Sequence, residues 1–152
     1  MAFGIGLVFP GQGSQSVGMG KSLCEAHPAI KQVYEEASAV LGYDSATLCF
    51  EGPAERLNLT EYTQPALLVS SIAALKTLES AGIQPIAVAG HSLGEYSALV
   101  AAGGVSFRDA VGLVQKRGRY MSEAVAPGMG LVAALLGLTP DVVKDVCQAA
   151  SV

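Results

Sequence analysis

The stretch Ala87-Val88-Ala89-Gly90-His91-Ser92-Leu93-Gly94-Glu95 sets a serine between two glycines in a Gly-x-Ser-x-Gly segment. Apolar residues precede it and helix-forming residues follow. That context suits a nucleophile elbow, in which a strand delivers the serine, a sharp turn exposes it and a helix receives the chain. Glycines flank such a turn because the neighbouring backbone comes too close for a Cβ. Ser92 is the candidate nucleophile, and acyl transfer through a serine ester is the chemistry it would do.

A serine ester forms through an oxyanion, which needs two hydrogen-bond donors. In elbow enzymes one is the N–H after the serine and the other lies in a loop after an early strand. Here these are the backbone N–H groups of Leu93 and of Gln12, within Phe9-Pro10-Gly11-Gln12-Gly13-Ser14-Gln15. The alternative is a plain glycine turn. Two nucleotide-binding patterns fail on spacing. A dinucleotide fingerprint starting at Gly11 needs glycine where Ser16 stands. A phosphate loop ending Gly20-Lys21-Ser22 needs glycine where Gln15 stands.

Arg117 falls on the apolar stripe of a predicted helix, with Phe107, Ala110, Val111, Val114, Met121 and Ala124. A cation on a buried face needs an anion, because an unpaired buried charge costs several kcal/mol. Its anion is either an internal Asp or Glu, or a substrate carboxylate gripped by the guanidinium fork. Gly118 beside it costs about 1 kcal/mol in a helix relative to alanine, which points to something packing closely there.

The serine also needs a base. Only two histidines are present. His91 adjoins Ser92, where a sharp turn points it elsewhere, and His27 precedes Pro28 at an expected surface position. Glu95 reads as a solvated or capping carboxylate. The chain thus encodes a nucleophile, an oxyanion hole and a possible carboxylate clamp without a complete catalytic set.

The 152 residues are 51% hydrophobic and 14% charged, with a mean hydropathy of +0.43. Such a greasy chain reads as a deeply buried α/β core, or as a piece whose complementary half covers apolar surface. No apolar run approaches the ~18–20 residues of a membrane span, and the N-terminus has no basic region typical of a secretory signal. The net charge of −4, without a basic cluster, argues against nucleic acid. Cys24, Cys49 and Cys147 lack metal-ligand spacing and read as reduced, buried thiols of a cytoplasmic protein.

The elements that must position these groups follow from apolar runs and breakers. Buried strands are expected over 5–9, 86–89 and 131–136. Helices are expected over 20–40, from Thr63 to about Ser80, over 94–102, from a Ser106 cap to about Val125, and from Thr139-Pro140 towards Ala150. The segment 43–62 reads as loop and short helix. The order β-α-α-β-α-α-β-α predicts an α/β class with a parallel sheet. The break Pro127-Gly128-Met129-Gly130 divides the chain into 1–126 and 127–152, and the second piece is too small to bury its own face.

Four segments in register carry a resemblance that spans essentially the whole chain: Phe9 to Gln15, Thr63-Gln64-Pro65-Ala66-Leu67, Gly90 to Ala98, and Arg117-Gly118. Together they resemble the malonyl-CoA:acyl carrier protein transacylases of bacterial type II fatty-acid synthesis. The resemblance implies a parallel-sheet α/β-hydrolase-like core carrying the nucleophile elbow, and the start of a small ferredoxin-like subdomain over 127–152. It implies a ping-pong reaction in which Ser92 takes malonyl from malonyl-CoA and passes it to the phosphopantetheine thiol of acyl carrier protein. Gln12 and Leu93 would form the oxyanion hole. Arg117 would hold the malonyl carboxylate, with Gln64, His91 and Met121 lining the site. No cofactor and no metal are implied.

Family members are about twice this length, and their catalytic histidine lies in the second half. The chain is therefore expected to be an N-terminal half that needs a complementary C-terminal half for its base. A polyketide-synthase acyltransferase module, a serine esterase and a non-catalytic binding half are the other readings. Lys116, Arg119 and Arg108 are the local candidates for a basic rim receiving anionic partners.

Overall fold

The computed structural model describes residues 4–124, 129 and 135–150. Strands β1 (Ile5–Phe9) and β2 (Pro85–Gly90) form where apolar runs meet Pro and Gly breakers. They pair in parallel, with Leu7 opposite Val88 and Phe9 opposite Gly90. Parallel neighbours require a crossover. It consists of α1 (Lys21–Ala26), a 3-10 turn (Pro28–Ile30), α2 (Lys31–Leu41), α3 (Ser45–Glu51), α4 (Ala54–Leu57) and α5 (Thr60–Ser80). Beyond β2 come α6 (Gly94–Ala101), α7 (Phe107–Glu123) and α8 (Pro140–Ala150).

The single helix expected over 20–40 is broken at His27-Pro28. Proline cannot donate and pushes the preceding residue out of the helical region, and His27 sits at φ −131°, ψ 82°. α2 then ends, as expected, at Gly42 with φ 77°. The short helices α3 and α4 occupy the segment read as mixed. Asp44 caps α3, its carboxylate accepting from the Thr47 N–H at 2.9 Å, and that bond holds its pKa below the usual value.

α5 is the central helix, buried around most of its circumference from Thr63 to Leu75 and packed against α2, α6 and α7. It starts three residues before the expected Thr63 cap. The Thr63 hydroxyl instead donates to the carbonyls of Leu57 (2.6 Å) and Leu59 (3.0 Å), a back-bond that competes with capping. α7 starts as expected, with the Ser106 Oγ accepting from the Asp109 N–H at 3.1 Å.

Two burial expectations need correction. The strands are not buried on both faces: Leu7 packs on the core, whereas Val8 is 80% and Ile86 78% exposed. Alternate residues face opposite ways, so among the described residues Val8 shares an uncovered face with its neighbours Ala87 and Ala89, both exposed, whereas Ile86 stands at a register shift, unpaired between the Ile5–Pro85 and Gly6–Ala87 pairs. The apolar stripe of α7 is buried at Ala110, Val111 and Val114, but Met121 is half-exposed and Ala124 exposed. α5, its packing partner, begins beside Gly118, so the last turns of α7 extend past the cover.

Of the cysteines only Cys49 is buried, Cys24 is half-buried and Cys147 lies exposed on α8. Residues 131–134 of the third expected strand, and most of the break at 127–130, lie outside the described residues. α8 forms where Thr139-Pro140 predicts it.

Candidate functional site

β2 ends at Gly90, and α6 starts only four residues later. Between them Ser92 takes φ 52°, the one positive φ at a non-glycine position among the described residues. L-residues populate that region at a cost of about 1–2 kcal/mol. Tight backbone packing holds it there. A Cβ on Gly90 would strike the Gly94 backbone, and one on Gly94 would strike the Phe9 carbonyl. The His91 N–H donates to the Phe9 carbonyl at 3.1 Å, and the Glu95 N–H to the Ser92 carbonyl at 3.2 Å. Ser92 itself is exposed and Leu93 buried at 1%.

The loop after β1 lies against this turn. A Cβ on Gly11 would come within 2.7 Å of the His91 carbonyl oxygen, which places Gln12 beside the Ser92 turn. The Gln12 side chain is tied down, its Nε2 donating to Thr60 Oγ1 at 3.1 Å. The Gly13 N–H is taken by Gln15 Oε1 at 2.8 Å. Among the described residues the backbone N–H groups of Gln12 and Leu93 have no acceptor.

Arg117 meets this constellation from α7. A Cβ on Gly118 would come within 2.8 Å of the Thr60 carbonyl oxygen and of Glu61 Cα, so glycine lets α7 close on the start of α5. The Arg117 guanidinium then donates from Nη1 to Gln64 Oε1 at 2.7 Å and from Nη2 to Ser92 Oγ at 3.3 Å. Its Cζ lies 5.9 Å from the centroid of the Tyr96 ring, one turn beyond Ser92. Gln64 is fully buried, and its Nε2 donates to Met121 Sδ at 3.2 Å. Among the described residues no carboxylate lies within ion-pair distance of Arg117. The ion pairs there are Lys76–Glu79 and Arg119–Glu123, so the internal-acid alternative has no partner to offer.

Ser92, Gln12, Leu93, Arg117, Gln64 and Met121 are thus brought together from four parts of the chain. His91 is exposed, its imidazole over Gly11. His27 is exposed at the α1 terminus, as expected. Thr60 and Tyr96 join the site beyond the expected residues. Tyr96 was legible as the residue four after Ser92 on the helix leaving the turn, but nothing signalled that Thr60 would meet Gln12, 48 residues away. Of the basic rim residues, Arg119 is committed to Glu123 at 2.6 Å, and Arg108 and Lys116 line a separate shallow cavity. Among the described residues there is no group of three potential metal ligands, and no helix is long and apolar enough to cross a membrane.

Fold and site together define an α/β protein that presents a serine at a strand–turn–helix junction, with a guanidinium on its oxygen. The model of the acyl transferase domain family matches residues 7–149, and the chain belongs to that family. It is 54% identical over 142 residues to the malonyl CoA-acyl carrier protein transacylase of Bacillus subtilis strain 168, covering 93% of this chain and 45% of that protein. With the Escherichia coli K12 protein of the same name it shares 50% identity over 145 residues, covering 95% and 47%. The solved structure of the malonyl CoA-acyl carrier protein transacylase of Coxiella burnetii superposes with a TM-score of 0.92 at 45% identity, covering 98% of this chain and 48% of that one. A malonyl-transacylase in complex with its type II PKS acyl-carrier protein gives 0.90 at 45%, covering 98% and 48%. The chain spans about half the length of the relatives it matches.

Proposed function

We propose that this chain is the nucleophile-bearing half of a malonyl transferase that moves malonyl from malonyl-CoA to the phosphopantetheine thiol of acyl carrier protein. Ser92 sits at a nucleophile elbow. Its Oγ attacks the thioester carbonyl while a base takes its proton. The carbonyl oxygen becomes an oxyanion held by the Gln12 and Leu93 N–H groups. The C–S bond breaks, the CoA sulfur takes up the proton, and malonyl remains as a serine ester. In the second half the acyl carrier protein thiol gives its proton to the base and attacks the ester. The Ser92 oxygen leaves and recovers its proton. Each amide donor of such a pair is worth about 3–4 kcal/mol to the transition state.

The observation that carries this reading is Arg117. A guanidinium lies on the nucleophile's oxygen, held by a neutral amide and, among the described residues, by no carboxylate. An esterase acting on neutral acyl groups has no use for that cation, whereas an acyl group with a free acid does. His91 lines the mouth of the site, and Met121 flanks it through Gln64.

The base comes from a complementary C-terminal half. Arginine cannot accept a proton, and neither His91 nor His27 is hydrogen-bonded to Ser92. The same half supplies the sheet with its second cover, since a parallel sheet is ordinarily buried on both faces. In this reading residues 1–126 belong to an α/β-hydrolase-like core, residues 127–152 begin a ferredoxin-like subdomain, and the enzyme works in the cytoplasm.

The test is the denaturing intact mass before and after exposure to malonyl-CoA. The expected result is a malonyl-sized gain on this chain in the presence of its complementary half, absent in Ser92→Ala. A gain that survives Ser92→Ala overturns the assignment of the nucleophile.

A further inference from the structure

We infer that Gln64 sets acyl selectivity as a positioning residue, holding Arg117 with a neutral amide so that the cation's charge is left for the substrate's acid. The inference rests on the malonyl reading above and extends it to a residue whose amide is engaged at both ends within the protein.

The geometry is closed around Gln64. Its side chain is fully buried, and both polar ends are engaged, by Arg117 Nη1 at 2.7 Å and by Met121 Sδ at 3.2 Å. The orientation of the amide follows from chemistry. A guanidinium has only donors, so the amide oxygen must face it, and the amide nitrogen is left with a weak thioether acceptor. Gln64 lies between Thr63 and Pro65 in the buried part of α5, a rigid element from which to aim a neighbour.

The choice of a neutral side chain is what needs a reason. Glutamate has the same length and would pair with Arg117 by a stronger, charge-assisted bond. For the protein alone that would be the better partner. It would also neutralise the guanidinium and compete with an incoming carboxylate. The surroundings present are an amide, a hydroxyl and the Tyr96 ring, which fix the guanidinium without cancelling its charge. By contrast Arg119, two residues along the same helix, is paired with Glu123.

The experiment measures Ser92 loading from malonyl-CoA and from acetyl-CoA by intact mass, in the complete enzyme containing this chain. Wild type, Gln64→Glu, Gln64→Leu, Arg117→Ala and the double variant Gln64→Glu/Arg117→Ala are compared. Gln64→Glu is expected to lower the malonyl-to-acetyl ratio by roughly a hundredfold, the size of a lost close charge pair. Gln64→Leu, which removes the anchor without adding a charge, is expected to lower it by less than Gln64→Glu. A packing role predicts the opposite order, since glutamate is the closer match in shape. With Arg117 absent, the same glutamate substitution should leave the ratio unmoved.

A Gln64→Glu ratio within about threefold of wild type, the spread of inconsequential substitutions, overturns the inference. So does a milder effect for glutamate than for leucine. Wild type that loads neither acyl group overturns the malonyl reading and this inference with it, whereas wild type that loads malonyl with an insensitive Gln64 overturns this inference alone.

Discussion

Arg117 donates from Nη2 to the Oγ of Ser92 at 3.3 Å, across 25 residues of sequence. Because a guanidinium only donates, the serine oxygen is the acceptor, and its own proton points elsewhere. The serine oxygen thus sits beside a cation, and in the malonyl reading proposed above an acid carried by an acyl group on that oxygen would meet the guanidinium.

Replacing Arg117 tests this relationship. Arg117→Ala should lower malonyl loading of Ser92 by roughly a hundredfold and spare a neutral acyl donor. Arg117→Lys should recover only part, since an ammonium lacks the planar fork. A time course of intact mass with both donors decides it, and unchanged malonyl loading in Arg117→Ala would remove the clamp from the mechanism.

The φ of 52° at Ser92 makes a prediction about stability alone. Ser92→Gly and Ser92→Ala both delete the hydroxyl, but only glycine is at ease in that region. Ser92→Gly should be more stable than Ser92→Ala by about 1 kcal/mol. Chemical denaturation of the two variants measures the difference, and equal midpoints would mean the turn relaxes.

Two glycines of α7 should respond in opposite directions. At Gly118 a Cβ would meet the Thr60 carbonyl oxygen and Glu61 Cα at 2.8 Å, whereas at Gly112 the nearest atom is a Val40 methyl carbon at 3.9 Å. Gly118→Ala should force α7 away from α5 at a cost of about 1–3 kcal/mol and draw Arg117 off Gln64. Gly112→Ala should stabilise by about 0.5–1 kcal/mol through helix propensity. Thermal melts of the pair settle the matter.

Alkaline pH should destabilise the fold through two buried groups. Burial pushes the Cys49 thiol from its ordinary 9.0 up to about 11. Burial likewise raises the Tyr34 hydroxyl from 10.0 to about 12, partly offset by its contact with Ser70. Both native pKa values lie above the unfolded ones, so the unfolded chain loses protons first. The contribution is complete below pH 9 and is lost as pH rises, through about 11 for Cys49 and about 12 for Tyr34. Melting temperature against pH should fall across that window, and Cys49→Ala should flatten its lower part.

Much of the local structure was legible. The strand ending at Gly90 and the helix starting at Gly94 follow from an apolar run, a glycine pair and good helix formers. The Ser106 cap follows from a hydroxyl three residues before an acid. These features depend on neighbours in sequence, and their physics is local. α5 starts ahead of the expected Thr63 cap because the Thr63 hydroxyl is drawn to two carbonyls of the preceding turn, a competition that composition does not reveal. The burial expected for Val8, Ile86 and Met121 failed because apolar character states a preference for cover and not which element provides it.

The serine, the glycines that crowd it and an arginine on an apolar stripe can all be read from the order of residues. What that arginine faces depends on how two helices pack. Gly118 lets α7 approach the start of α5 closely enough for Arg117 to reach Gln64 and Ser92 at once. The difference is one of reach. A helix pattern specifies which face a side chain occupies, whereas its partner is set by the distance between two packed helices, and that distance is set by one missing methyl group.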